Sequence, residues 1–150
     1  MSENLSLIEE LGITPNEFEE IGRIGGIYYK QGNLKKAKAI FEGLIELNPN
    51  SSEAHSALGA LLAQAEDDEN AIIHLDIAIN LDENKIAPYV NRAEVRIRQL
   101  KLVEAIADLK KAIELDPLKK DVDAHRARTM ILGIYETFQM KGFIKLKKED

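Results

Sequence analysis

The stretch KKAIELDPLKK at residues 110–120 has two near-copies upstream, EGLIELNPNS at 42–51 and DIAINLDENK at 76–85. Pro49, Glu83 and Pro117 occupy the same place in each copy, at steps of 34 residues. A fixed period of this size marks a solenoid of stacked supersecondary units. Counting each repeat from 1 to 34, beginning at Phe18, Ser52 and Ile86, position 8 holds Gly25, Gly59 and Ala93. Position 20 holds Ala37, Ala71 and Ala105, position 24 holds Phe41, Leu75 and Leu109, and position 27 holds Leu44, Ala78 and Ala112. Positions 20, 24 and 27 form an i, i+4, i+7 series, so they share one helix face. Small residues at positions 8 and 20 let two helices approach closely, and the large apolar residue at 24 fills the space beside them. Gly32-Asn33 and Asp67-Asp68 supply turns, and position 32 closes the second helix. Each unit therefore reads as helix, turn, helix.

The flanks also read as helix. In TPNE at 14–17, Thr14 is an N-cap, Pro15 sits at the first helical position and Glu17 completes a capping box. The first repeat helix thus starts before Phe18. Leu5, Ile8 and Leu11 form a short amphipathic stretch ahead of it. Residues 121–140 read as one longer helix with a stripe of Ala124, Ala127, Ile131, Ile134 and Phe138, ending near Gly142. A final helix that covers the open end is what a solenoid needs for solubility.

These residues resemble the tetratricopeptide repeat. Repeat 1 matches its signature with Gly25, Tyr28, Ala37, Phe41 and Pro49, repeat 2 with Leu58, Gly59, Ala71 and Ala78, and repeat 3 with Tyr89, Ala93, Ala105, Ala112 and Pro117. The resemblance covers residues 18–119, and three copies agree in phase. It implies an all-α, right-handed solenoid of three repeats in one domain over 1–150. The expected parts are an N-terminal amphipathic segment (1–13), repeats at 18–51, 52–85 and 86–119, a capping helix (120–142) and a tail (143–150).

Composition narrows the class of function. Leu, Ile and Ala carry the apolar content, aromatics are 5% and Trp is absent, which favours helices over sheets. No apolar run reaches the ~18–20 residues of a membrane span, and the start MSENLSLIEE lacks the basic opening of a signal peptide. A cytoplasmic location is expected. With no cysteine, thiol chemistry and thiolate metal sites are excluded. The net charge of −6 argues against general nucleic-acid binding. That charge is uneven: residues 1–83 hold 16 acids and 5 bases, residues 84–150 hold 10 acids and 15 bases. Such asymmetry steers a charged partner, favours self-contact, or is solvated surface.

No catalytic constellation emerges, and no metal or cofactor is expected. His55, His74 and His125 fall at unrelated phases of the repeat, without carboxylate partners at helical spacing. GRIGG at 22–26 follows no strand and lacks the Lys-Ser/Thr pair of a phosphate loop. EDDEN at 66–70 lacks the spacing of a calcium loop, and acids there suit a helix start. The chain reads as a recognition module and not as an enzyme.

In tetratricopeptide arrays the first helix of each repeat lines a concave groove through positions 2, 5, 6, 9, 12 and 13. The resemblance places Gly22, Gly26, Tyr29, Ser56, Ala60, Ala63, Val90, Glu94 and Ile97 there. The carboxylate clamp for heat-shock chaperone tails needs Lys or Arg and Asn at five of these positions. This chain has Gly22, Gly26, Ala57, Ala87 and Asn91 instead, so the clamp is rejected. A floor of small residues with apolar side chains suits an extended peptide carrying hydrophobic anchors, unless the N-terminal segment fills the groove.

The layout also resembles the class II chaperones of type III secretion, which hold translocator subunits in the bacterial cytoplasm. Gly32, Leu34 and Ala37, and Ala93-Glu94 in repeat 3, agree with that family. The likeness implies an extended translocator segment in the groove and a homodimer supported by Leu5, Ile8 and Leu11. Two other readings stand beside it: a scaffold or adaptor subunit of a bacterial assembly complex, and a structural dimerisation module. Arg92 and Arg96 occupy positions 7 and 11 of repeat 3, usually apolar. They snorkel, pair with acids, or mark a rotated helix.

Overall fold

Gly32, Glu66 and Leu100 stand 34 residues apart and share a left-handed backbone, with φ of 76°, 60° and 60°. Each lies at the turn inside a helix pair, where this conformation ends one helix and admits the next. The computed structural model describes residues 6–140. Leu5, Gly142 and the tail 143–150 lie outside the described residues. Among the described residues all regular structure is helical: α1 (Leu7–Glu10), α2 (Pro15–Lys30), α3 (Leu34–Leu47), α4 (Ser52–Gln64), α5 (Asp68–Leu81), α6 (Ile86–Arg98), α7 (Leu102–Glu114) and α8 (Val122–Met140). The short turns make α2 and α3, α4 and α5, and α6 and α7 three hairpins, and α8 packs against α6 and α7.

Local chemistry sets the ends. Thr14 and Glu17 form a reciprocal capping box, with Thr14 N–H donating to Glu17 Oε2 at 2.8 Å and Glu17 N–H to Thr14 Oγ1 at 3.2 Å. Asn33 and Asp67 cap α3 and α5 through their side chains. Lys101 begins α7 with no such bond. Helix α1 is a single turn, closed by Gly12 at φ 64°, shorter than the stretch from Leu5 to Leu11 suggests.

The small residues at position 8 are required by close approach. A Cβ on Gly25 would stand 2.6 Å from the Phe41 ring, and one on Gly59 would stand 2.7 Å from Leu75 Cγ. Ala93 and Leu109 hold the same places in the third hairpin, both fully buried. The core forms two clusters: Ala37, Phe41, Leu44, Leu58, Leu61 and Ala71 in the first, and Val90, Ala93, Leu109, Ala112, Ala127 and Ile131 in the second. The buried stripe of α8 (Ala124, Ala127, Ile131 and Ile134) closes the second cluster.

Arg92 and Arg96 pair with acids. Arg92 donates from Nε and Nη2 to the two oxygens of Asp108, at 3.0 and 2.6 Å, and from Nη1 to Asp76 at 2.7 Å. Arg96 Nη1 reaches Asp108 Oδ2 at 2.7 Å. Burial works against the Arg92 charge, but its hydrogen bonds to Asp108 and Asp76 outweigh that and raise its pKa.

Candidate functional site

Helices α2, α4 and α6 present one trough made of three adjoining cavities. The first, of about 630 Å³, lies between α2 and α4 and is lined by Ile8, Phe18, Gly22, Phe41, Leu44, Ala54 and Ala57 with Glu19 and Glu53 at its rim. The second, of about 530 Å³, shares Glu53 and Ala57 with it and continues along Ser56, Ala60, Asn91 and the start of α8. The third, of about 360 Å³, shares Ala60 and Asn91 and is polar, bounded by Tyr29, Ala63, Glu66, Glu94, Arg98 and Arg126.

The apolar end exists because Gly22 has no side chain. A Cβ there would stand 3.6 Å from Leu44 Cδ1, so the glycine at position 5 leaves Leu44, at position 27, facing the cavity. The floor along α4 runs over the methyl groups of Ala54, Ala57, Ala60 and Ala63, with Glu53, Ser56 and Gln64 beside them. At the polar end, Arg126 of α8 donates to Glu94 at 3.1 Å and to Asp123 at 3.0 Å. Arg98 bonds Asp68 and, at 2.9 Å, the carbonyl of Ala63. Burial raises the Tyr29 pKa, Glu94 adds to the rise and Arg126 opposes it. Lys85 reaches across to Glu53 at 2.8 Å, and that bond lowers the Glu53 pKa and raises that of Lys85.

Six of the nine groove residues expected from sequence line this trough: Gly22, Tyr29, Ser56, Ala60, Ala63 and Glu94. Gly26 borders open space, with nothing within 4 Å of where a Cβ would stand. Val90 is a correction: it is 0% exposed and sits in the core cluster with Ala127 and Ile131. Ile97 packs half-buried on the same cluster. Both face inward because α8 covers this part of α6. Ile8, expected at a dimer interface, faces the apolar cavity instead, while Leu11 is 59% exposed. Phe18, Phe41, Leu44 and Ala54 were not foreseen in the site; Gly22 is the signal that reveals them. Arg126 lies on α8, which extends the 34-residue step past the third repeat, from Ala93 to Ala127, and that extension is the signal that points to it.

The histidines need a second correction. His55 and His74 do meet, with Nδ1 atoms 3.1 Å apart and rings stacked at 5.4 Å between centroids. Antiparallel pairing of α4 and α5 brings them together despite their different phases. The Pro49 carbonyl only accepts, so His55 donates to it from Nε2 at 2.8 Å. Its Nδ1 then accepts from His74 Nδ1–H. Burial lowers the His74 pKa and the neighbouring His55 lowers it further, with Glu42 partly offsetting both. Among the described residues no group of three or more His, Cys, Asp or Glu side chains is placed to hold a metal ion. No described helix is long and apolar enough to cross a membrane.

A tetratricopeptide-repeat family model matches residues 21–51. No curated protein sequence matches the chain. Solved structures match in fold. A type III secretion complex from Aeromonas hydrophila superposes with a TM-score of 0.78 at 20% identity, covering 92% of this chain and 93% of its own. The Yersinia enterocolitica type III secretion translocator chaperone SycD gives 0.77 at 20% identity, covering 87% and 98%. SycD in complex with a peptide of the translocator YopD gives 0.72 at 21% identity, again over 87% and 98%. The chain has the fold of a tetratricopeptide-repeat solenoid, and in that fold it is similar to the translocator chaperones of type III secretion.

Proposed function

We propose that the chain is a non-enzymatic binding protein acting in the cytoplasm, a chaperone of the class II type III secretion kind that holds an extended segment of a secreted partner in the trough. The observation that carries this reading is the continuity of the three cavities over a methyl-lined floor, with buried apolar side chains uncovered at Gly22. Each apolar anchor buried there contributes roughly 1.5–3 kcal/mol. The likeness to SycD, solved with a translocator peptide, supports the same use of the fold. Co-expression with a translocator subunit that is insoluble alone tests it. The chaperone reading expects a soluble one-to-one complex that Ala60→Trp abolishes while helical circular dichroism is kept. A partner that is soluble by itself favours a scaffold or adaptor.

A homodimer is a second proposal, carried by a separate observation. At the end of the solenoid opposite α8, Leu11 is 59% exposed, and Ile24 and Ile27 are 40% and 43% exposed. Ile24 and Ile27 continue the α2 face on which Leu11 borders Glu20 and Ile21. Sedimentation at tens of micromolar should show a dimer that Leu11→Glu with Ile24→Glu converts to monomer. A wild-type monomer contradicts it.

A further inference from the structure

We propose that the segment the trough takes is basic: an extended strand whose apolar anchors are spaced by Lys or Arg. This rests on the peptide-binding reading above and specifies its ligand. Six carboxylates line the three cavities: Glu19, Glu53, Glu66, Glu94, Asp121 and Asp123. The cations on the same surface are Lys85, Arg98 and Arg126, all from the second half of the chain. Each is already held by a carboxylate, Lys85 by Glu53, Arg98 by Asp68, and Arg126 by Glu94 and Asp123. The trough therefore has no cation to spare for an acidic ligand. Glu19 and Glu66 take part in no ion pair among the described residues, and they stand at opposite ends, in the apolar and polar cavities. A concave surface focuses such a field, so a positively charged strand is both steered in and held.

The spacing is also set. Ala54 borders the apolar cavity and Ala63 the polar one, nine residues apart on α4. At 1.5 Å per residue that is ~13 Å, a distance an extended strand covers in about four residues. The preferred segment has an apolar anchor and, about four residues away, a Lys or Arg whose cationic head meets Glu66.

A displayed library of random 12-residue peptides, selected on the full chain, tests this. Only peptides that lose binding to Ala60→Trp are counted, which restricts the readout to the trough. The expected result is a net positive charge in those peptides. Their affinity should fall about tenfold in Glu19→Gln with Glu66→Gln, and the wild-type advantage should shrink as salt rises. Trough-dependent peptides that are neutral or acidic, or unaffected by the glutamine changes, overturn the basic-ligand inference and leave peptide binding standing. No trough-dependent peptide at all overturns both.

Discussion

Arg92 and Asp108 meet fork to fork, two parallel hydrogen bonds of 3.0 and 2.6 Å between α6 and α7, with the Asp108 side chain 5% exposed. Bidentate pairing of this kind fixes geometry as well as charge. Asp108 also holds Arg96, while Arg92 has a second carboxylate in Asp76. Removing Asp108 leaves Arg96 with no carboxylate among the described residues and Arg92 with Asp76 alone. Asp108→Ala should cost ~3–5 kcal/mol in urea unfolding. A triple change, Arg92→Met, Arg96→Met and Asp108→Leu, should recover most of that loss, since apolar replacement of a buried ion network is often neutral or better. A loss under 1 kcal/mol for Asp108→Ala would show the network to be idle.

Adjacent glycines in α2 should respond oppositely to alanine. Gly25→Ala drives a Cβ into the Phe41 ring, 2.6 Å away, and should destabilise through overpacking by ~1–3 kcal/mol. Gly26→Ala meets nothing within 4 Å and should gain the helix-interior benefit of ~0.5–1 kcal/mol. Thermal melts of the two variants should move to either side of the wild type. Equal shifts of one sign would contradict the packing assigned to position 8.

The three inner turns make a matched pair of tests. Leu100 holds φ 60° with its side chain 82% exposed, so it bears the left-handed strain and returns no burial. Leu100→Gly should raise stability by roughly 1 kcal/mol. Gly32→Ala, at φ 76°, should lower it by a similar amount. Unfolding midpoints in urea decide both, and a stabilised Gly32→Ala would count against the left-handed turn.

Stability should fall as pH drops below neutrality through His74, which stacks on His55. The folded His74 pKa lies below its ordinary 6.5, chiefly through burial. The unfolded chain therefore takes up a proton first. Neutral His74 contributes its full stability above about pH 6.5, and this contribution is lost as pH falls toward the lowered folded value. Melting temperature measured from pH 7.5 to 5.5 should decline in the wild type and decline less in His74→Gln, whose amide can still donate to His55. Identical profiles would show that His74 does not titrate in that window.

The fold was legible because its constraints repeat. Gly25, Gly59 and Ala93 answer to one steric rule, and three copies make one rule visible. His55 shows where that reading stopped short. It stands at position 4 of its repeat and donates to the carbonyl of Pro49, at position 32 of the repeat before. Tyr89, also at position 4, donates to the carbonyl of Glu83 at 3.0 Å. The two residues tie successive repeats by one bond, and the sequence set His55 aside as non-catalytic without showing that it shares position 4 with Tyr89. The trough was legible along α2 and α4, where the repeat positions face open space. It failed at Val90 and Ile97, because α8 continues the 34-residue step beyond the third repeat, from Ala93 to Ala127, and its stripe of Ala127 and Ile131 packs over them. Arg126 entered the site for the same reason.

The central claim is that the trough of α2, α4 and α6 holds the partner. A photo-crosslinking amino acid placed at residue 60, in the floor, or at residue 107, exposed on α7, tests this in cells that make the native partner. Residue 60 should give one dominant crosslinked adduct, and residue 107 should give none. An adduct from residue 107 alone would move the binding site to the opposite face and contradict the account.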